Sequence, residues 1–236
     1  ELRDEILFRQ PESSHRGDCP ICFLPLSIDT KSRMFGCCST MICNGCSYAN
    51  QKRELEEKLQ HACPFCRNIF PKTDEEAIKN AMKRVAANDT DAMMYMYQKS
   101  YNEGDYDTAF AYLTKAAELG GADAHYNLSI LYGEGKGVEM DKKKGFYHLE
   151  EAVFAGHPEA RYNLACHEGR NKRYDKAVKH LIIAAKLGHD ESIQALKKFY
   201  VGGKFSKEAF AAALRAHQAA VEATKSPQRE VASKTV

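Results

Sequence analysis

Three pairs of the form Cys-x-x-Cys lie close together, at Cys19 and Cys22, Cys43 and Cys46, and Cys63 and Cys66. A two-residue gap turns both sulfurs of a pair toward one side of a tight knuckle, where they fill two corners of a tetrahedral zinc site at about 2.3 Å per Zn–S bond. With the doublet Cys37-Cys38 the segment offers eight thiols, enough for two structural zinc ions. The ninth cysteine, Cys166, stands alone and reads as a small buried hydrophobe.

The chemistry expected of thiols depends on where the chain resides. The opening stretch ELRDEILFRQPESSHRGD lacks the apolar core of a signal peptide, and no run approaches the roughly eighteen apolar residues needed to span a bilayer. An intracellular, non-membrane protein is therefore expected, cytoplasmic or nuclear, in which clustered thiols hold metal instead of forming disulfides. With 34 basic and 32 acidic side chains interleaved along 236 residues, the net charge is only +2. That balance gives no bulk attraction to nucleic acid or to an anionic surface.

The order of the cysteines resembles the RING finger: Cys19-x2-Cys22, fourteen residues to Cys37, then Cys43-x2-Cys46, and sixteen residues to Cys63-x2-Cys66. The resemblance covers residues 17 to 70 and implies a small α+β cross-brace around two zinc ions. It assigns Cys19, Cys22, Cys43 and Cys46 to the first ion, and Cys63 and Cys66 to the second with two ligands from around Cys37 and Cys38. Most RING fingers carry Cys-x-His before the third pair, whereas the residue two after Cys38 is Thr40, a poor zinc ligand. Either Cys37 and Cys38 both bind, or Cys38 pairs with His61 and Cys37 is a bystander. The doublet is favoured, although adjacent side chains of an extended strand point to opposite faces, so Gly36 or a local kink has to bring the sulfurs together.

Members of that family that act as ubiquitin ligases perform no covalent chemistry; they hold a ubiquitin-conjugating enzyme and its charged ubiquitin in a reactive pose. By motif position the contact residues would be Ile21, Pro64 and Arg67, the last matching a hydrogen-bonding linchpin. Ile21 and Pro64 also suit simple knuckle packing. The bulky aromatic that many ligases carry four residues past the sixth ligand is here Asn50, with Tyr48 nearby. The run SYANQKRELEEKLQHA, with Leu55, Leu59 and Ala62 at helical spacing, predicts the family's central helix.

Beyond the cysteines, Thr73-Asp74-Glu75-Glu76 reads as a capping box opening a connecting helix over 73–87. From there the chain repeats itself. The stretches AAELGGADAHYNL, EAVFAGHPEARYNL and AAKLGHDESIQAL bring Gly120, Gly156 and Gly188 into register, with Leu113, Leu149 and Leu181, Ala116, Ala152 and Ala184, and Met96, Leu128, Leu164 and Leu196. Such a period predicts a solenoid of paired helices, with left-handed glycine caps and with His157-Pro158 and Asp190 starting the following helices. The pattern resembles the Sel-one-like repeat, a relative of the tetratricopeptide repeat, over residues 90–222. That resemblance implies a scaffold that binds a protein substrate or adaptor. The histidines look scattered, and the tail 223–236 is expected to be disordered.

The expected architecture is thus a zinc-stabilised RING cross-brace over 16–70 followed by an all-α helical-repeat solenoid. Two functions compete: a RING-type ubiquitin-protein ligase, and a non-catalytic zinc-binding interaction scaffold.

Overall fold

Residues 2–28 and 32–234 are described in a computed structural model, with side chains from Asp4 onward. The chain forms two compact units and passes between them three times. One comprises Glu1–His15 and Gly120–Ala223, the other Arg16–Leu119 and Thr224–Val236.

In the cysteine-bearing unit the turn around Cys19 and Cys22 is followed by a hairpin. Strand β1 (Ser32–Phe35) pairs antiparallel with β2 (Thr40–Cys43), in the register Ser32 to Cys43 and Phe35 to Thr40. The α2 helix (Asn44–Glu56) leaves β2 directly, with the Cys43 sulfur accepting the Cys46 N–H as its N-cap. Its buried face is Gly45, Cys46, Ser47 and Glu54. The leucine stripe expected there is corrected: Leu55 is 82% exposed, and Leu59 and Ala62 lie beyond the helix end. Local periodicity misleads here because the small interior is filled by the clustered cysteines with Leu26, Phe35 and Ile42, and not by leucines of α2.

Helices α3 (Asp74–Ala86), α4 (Thr90–Glu103) and α5 (Tyr106–Glu118) complete this unit together with α12 (Pro227–Ser233). Thr73 caps α3 as expected, but Glu76 reaches back to the Lys72 N–H at 3.0 Å. Arg84 of α3 donates from Nε to Ser39 Oγ at 2.8 Å and pairs with Asp89, which ties the helix to the hairpin turn.

The tail is a second correction. Within the tail expected to be disordered, Pro227–Ser233 form a helix: Ser226 caps α12, its Oγ accepting the Arg229 N–H at 3.2 Å, and Pro227 stands in the first turn. Ser-Pro is a start signal that the tail's polar composition concealed. Thr235 and Val236 lie outside the described residues.

The repeat unit contains α1 (Leu2–Leu7), α6 (Ala122–Glu134), α7 (Lys142–Phe154), α8 (Pro158–Arg170), α9 (Tyr174–Lys186), α10 (Asp190–Val201) and α11 (Lys207–Ala223). The registered residues that follow Gly120 line its interior, Leu149 only half-buried, whereas Met96, Leu113 and Ala116 fall in the cysteine-bearing unit. Ala152 and Ala184 are fully buried, as are Leu128, Leu164, Leu181 and Leu196 to within 2%. Gly156 and Gly188 take φ of +82° and +92°, the left-handed conformation in which a Cβ would be strained. His157 caps α8, its Nδ1 accepting the Ala160 N–H at 3.2 Å, and Pro158 follows in the first turn. At α10 the N-cap position is His189 and not Asp190, with no side-chain capping bond. Cys166 is half-buried beside Tyr162, less enclosed than expected. Among the described residues no helix is long and apolar enough to cross a membrane.

Candidate metal centre

Each of two knuckles is built alike. In the first, Cys19 N donates to Leu24 O at 3.0 Å and Phe23 N to Cys19 O at 2.8 Å; in the second, Cys63 N donates to Asn68 O and Arg67 N to Cys63 O, both at 2.9 Å. The residue after each second cysteine, Phe23 or Arg67, sits at positive φ (58° and 61°), which closes the turn and aims both sulfurs inward. The Cys37-Cys38 doublet occupies the turn between β1 and β2. Ser39, and not Gly36, takes positive φ in this turn, 46°.

The eight sulfurs form two groups, Cys19, Cys22, Cys43 and Cys46, and Cys37, Cys38, Cys63 and Cys66; within each, all Sγ atoms lie within 4.8 Å of one another. A regular tetrahedron with Zn–S bonds of about 2.3 Å has sulfurs about 3.8 Å apart. Observed separations are 3.8 Å for Cys22 to Cys43, 3.8 Å for Cys38 to Cys63 and 3.4 Å for Cys37 to Cys66. All eight cysteines are free thiols, far from disulfide distance. Four soft donors at tetrahedral spacing fit a metal ion in both groups.

Without a metal such a cluster is electrostatically costly. Burial raises the Cys37 and Cys46 thiols well above the ordinary range, and neighbouring thiols add to it. At Cys22 burial acts in the same direction but is outweighed by the Leu24 N–H and the Arg229 guanidinium, which bring the thiol down to about 7. Cys66 is lowered in the same way: burial is outweighed by the Asn68 N–H. A divalent cation removes the conflict by making thiolates the favoured state of every ligand.

Two outer contacts brace the segments that carry the cysteines. Glu54 of α2 accepts from Ala62 N at 2.9 Å and Asn50 Nδ2 at 2.6 Å, and its other oxygen lies 2.6 Å from His61 Nδ1. Burial pushes the Glu54 carboxyl up, but the hydrogen bonds from His61 and Ala62 prevail and hold it below the usual range. His61 is thus engaged with Glu54, and the sulfurs gathered around Cys63 and Cys66 are those of both Cys37 and Cys38. Thr40 bonds the Cys38 carbonyl at 3.2 Å.

The second contact was invisible in the sequence. Arg229 of α12 donates to Cys22 Sγ at 3.2 Å, to Pro25 O at 2.7 Å, to Leu24 O at 3.1 Å and to Thr224 O at 2.6 Å. A divalent ion with four thiolates carries a net charge of about −2, and this guanidinium offsets part of it. Gly45 lets α12 approach, since a Cβ there would lie 2.8 Å from the Arg229 side chain and 2.9 Å from its backbone.

Of the three residues singled out for enzyme docking, Ile21 is 39% exposed, Pro64 half-buried and Arg67 exposed. Phe23 at 77% and Phe65 at 50% add apolar surface on the same knuckles. Asn50 is spent on Glu54 and the Ala62 carbonyl.

A third group, His15, Asp123 and His157, lies in the repeat unit, with both Nε2 atoms 3.1 Å from Asp123 Oδ1. It does not suit a metal. His157 Nδ1 accepts the Ala160 N–H, so its proton resides on Nε2 and points at the carboxylate. The group is a hydrogen-bonded clasp that no spacing rule in the sequence revealed.

The profile of the Sel1 repeat family matches residues 80–121, 122–157 and 158–189. Among curated proteins, a putative RING finger protein, ORF96 of Ostreid herpesvirus 1 (isolate France), is 30% identical over 88 residues, 37% of each chain, so this chain aligns with little more than a third of that relative's length. Among solved structures, a Sel1 repeat protein from Oxalobacter formigenes matches with a TM-score of 0.56 at 23% identity, covering 73% of this chain and 52% of the other. A protective antigen of uropathogenic Escherichia coli displaying an SLR fold matches with a TM-score of 0.50 at 25% identity, covering 63% and 33%.

Proposed function

We propose that this chain, which carries Sel1 repeats and a module of two four-cysteine groups, is a RING-type ubiquitin-protein ligase holding two zinc ions. The carrying observation is the interleaved order of the two groups along the sequence, first and third cysteine clusters together, second and fourth together. The partial likeness to a putative RING finger protein supports it. In this reading zinc supplies no reaction step. When bound it fixes the two knuckles, and catalysis consists of positioning a charged ubiquitin-conjugating enzyme. Ile21 and Pro64 would meet the enzyme through apolar contact. Arg67, exposed and without an ion pair among the described residues, would donate to enzyme and ubiquitin together. The repeats would hold a protein substrate or adaptor.

The test is ubiquitin transfer by purified protein with a broad panel of conjugating enzymes. Chains should form, and they should vanish in Ile21→Ala and Arg67→Ala while each variant retains two zinc ions by native mass spectrometry. Silence across the panel sinks the ligase reading. One observation favours the alternative of a non-catalytic scaffold: Asn50, where many ligases carry an aromatic docking residue, is turned into the Glu54 network. A scaffold would bind partners stably through these surfaces and transfer nothing.

A further inference from the structure

Two buried polar groups of the repeat unit lack the partners their chemistry calls for. Arg161 of α8 is 2% exposed, yet no carboxylate meets it among the described residues; Nη1 donates to Leu7 O at 2.7 Å, Nη2 to Val153 O at 3.1 Å, and Nε has no acceptor. His180 of α9 is fully buried, and neither ring nitrogen has a hydrogen bond among the described residues. Buried donors left unmet are costly and rare in folded chains.

These groups are covered by the chain's own amino-terminal segment. Asp4 of α1 pairs with Lys176 of α9 at 3.0 Å. Leu7 is buried with Ala152, Val153, Ala160 and Leu164. Phe8 lies on His180 with ring centroids 4.6 Å apart, and Lys179 stands over its ring. A helix of six residues does not persist in water alone, so the surface holds α1 in shape. Its anchors, an acid, a leucine three residues on and a phenylalanine four residues on, share one face of a helical turn, as a docked helical peptide presents them.

We propose that the surface of α7, α8 and α9 around Arg161, Lys176 and His180 is a docking site for a short helical segment of a partner protein bearing acid-x-x-Leu-Phe, and that residues 4–8 occupy it in cis until such a segment displaces them. A partner gains over the cis segment by supplying an acceptor to Arg161 Nε or His180, which residues 4–8 leave unmet. The proposal rests on the repeats binding protein and is independent of ubiquitin transfer. A chain that fails the transfer assay and still docks the peptide keeps this inference, and one that transfers without docking loses only this inference.

The probe is the fluorescein-labelled peptide ELRDEILFRQ, titrated by anisotropy into the full chain carrying Leu7→Ala and Phe8→Ala. Binding should saturate, about tenfold or more tighter than to the unaltered chain, whose own segment competes. A chain also carrying Lys176→Glu should lose that peptide and regain binding with the peptide's Asp4→Lys form, a swap that only direct contact produces. Retained helical circular dichroism with no saturable binding, or no rescue in the swap, overturns the proposal. Should the Leu7→Ala, Phe8→Ala chain unfold, the same peptide with benzophenone in place of Phe8 is irradiated with the unaltered chain. Cross-links on α8 or α9 that excess unlabelled peptide suppresses support the docking site, and their absence refutes it.

Discussion

At the residue scale, the Arg229 guanidinium donates to Cys22 Sγ at 3.2 Å and, against burial and together with the Leu24 N–H, helps bring that thiol down to about 7. Three Cys-x-x-Cys pairs identify themselves, because a knuckle is local. Arg229 is separated from Cys22 by 207 positions and joins it through α12, so no pattern near either residue signals the contact. Its removal gives a specific prediction. Arg229→Met should release metal from the Cys19, Cys22, Cys43 and Cys46 group about 10–100-fold faster to a chromophoric chelator, the range expected when an outer partner of a metal ligand is lost. The Cys37, Cys38, Cys63 and Cys66 group should release at its former rate. Arg229→Lys should fall between, because an ammonium keeps the charge but not the fork that spans sulfur and three carbonyls. Equal acceleration at both groups would show that Arg229 merely supports the unit. Glu54 offers a parallel case: Glu54→Ala leaves His61 and the Ala62 N–H without their acceptor and should loosen the last knuckle, raising hydrogen exchange at Ala62 and Cys63.

At the element scale, the repeats were the most legible part, because a repeated helix pair must bury the same face each time. Leu128, Leu164 and Leu196 fall at one register and are all within 1% of full burial. Leu164→Ala should therefore cost about 2–5 kcal/mol in urea unfolding of the repeat helices. What the register could not supply was the start of α10, where His189 holds the N-cap position in place of the expected Asp190 without a side-chain capping bond. The glycines permit a test in which sign alone decides. A Cβ at Gly133 or at Gly188 would meet nothing within 4 Å, but Gly188 has φ +92° and Gly133 lies inside α6. Gly133→Ala should stabilise by about 0.5–1 kcal/mol through helix propensity. Gly188→Ala should destabilise by about 1–2 kcal/mol through left-handed strain. Two shifts of the same sign in thermal melting would contradict this assignment of backbone roles.

At the scale of the whole molecule, reading the chain as consecutive domains missed that both termini belong to the unit more distant in sequence: residues 1–15 with the repeats after Gly120, and residues after Thr224 with the cysteines. The two units should accordingly fail under different agents, chelation for one and acid for the other. Three histidines of the repeat unit are held neutral. Burial lowers His180 to about 3, with Arg161 and Lys176 adding to it and Asp4 opposing. Burial lowers His148 to about 4, with His125 and Lys144 adding to it, and burial lowers His157 against the pull of Asp123. A histidine depressed in the fold leaves stability intact above its ordinary value near 6.5; below it, the unfolded chain takes up protons that the folded one refuses. Each such group removes about 1.4 kcal/mol per pH unit until its folded value is reached, with a smaller share from the half-exposed His148. Asp123, which burial would raise but which its two histidines hold low, acts later, its contribution draining only as pH falls below the usual carboxylate range. In chelator-stripped protein, where the thiol groups contribute equally to every arm, the urea midpoint of the helical signal should therefore fall from pH 7 to pH 5, and His180→Gln should flatten that fall by roughly a third. A midpoint independent of pH over this interval would mean that these imidazoles are hydrated in solution, and the closed cover over Arg161 and His180 would have to open with them.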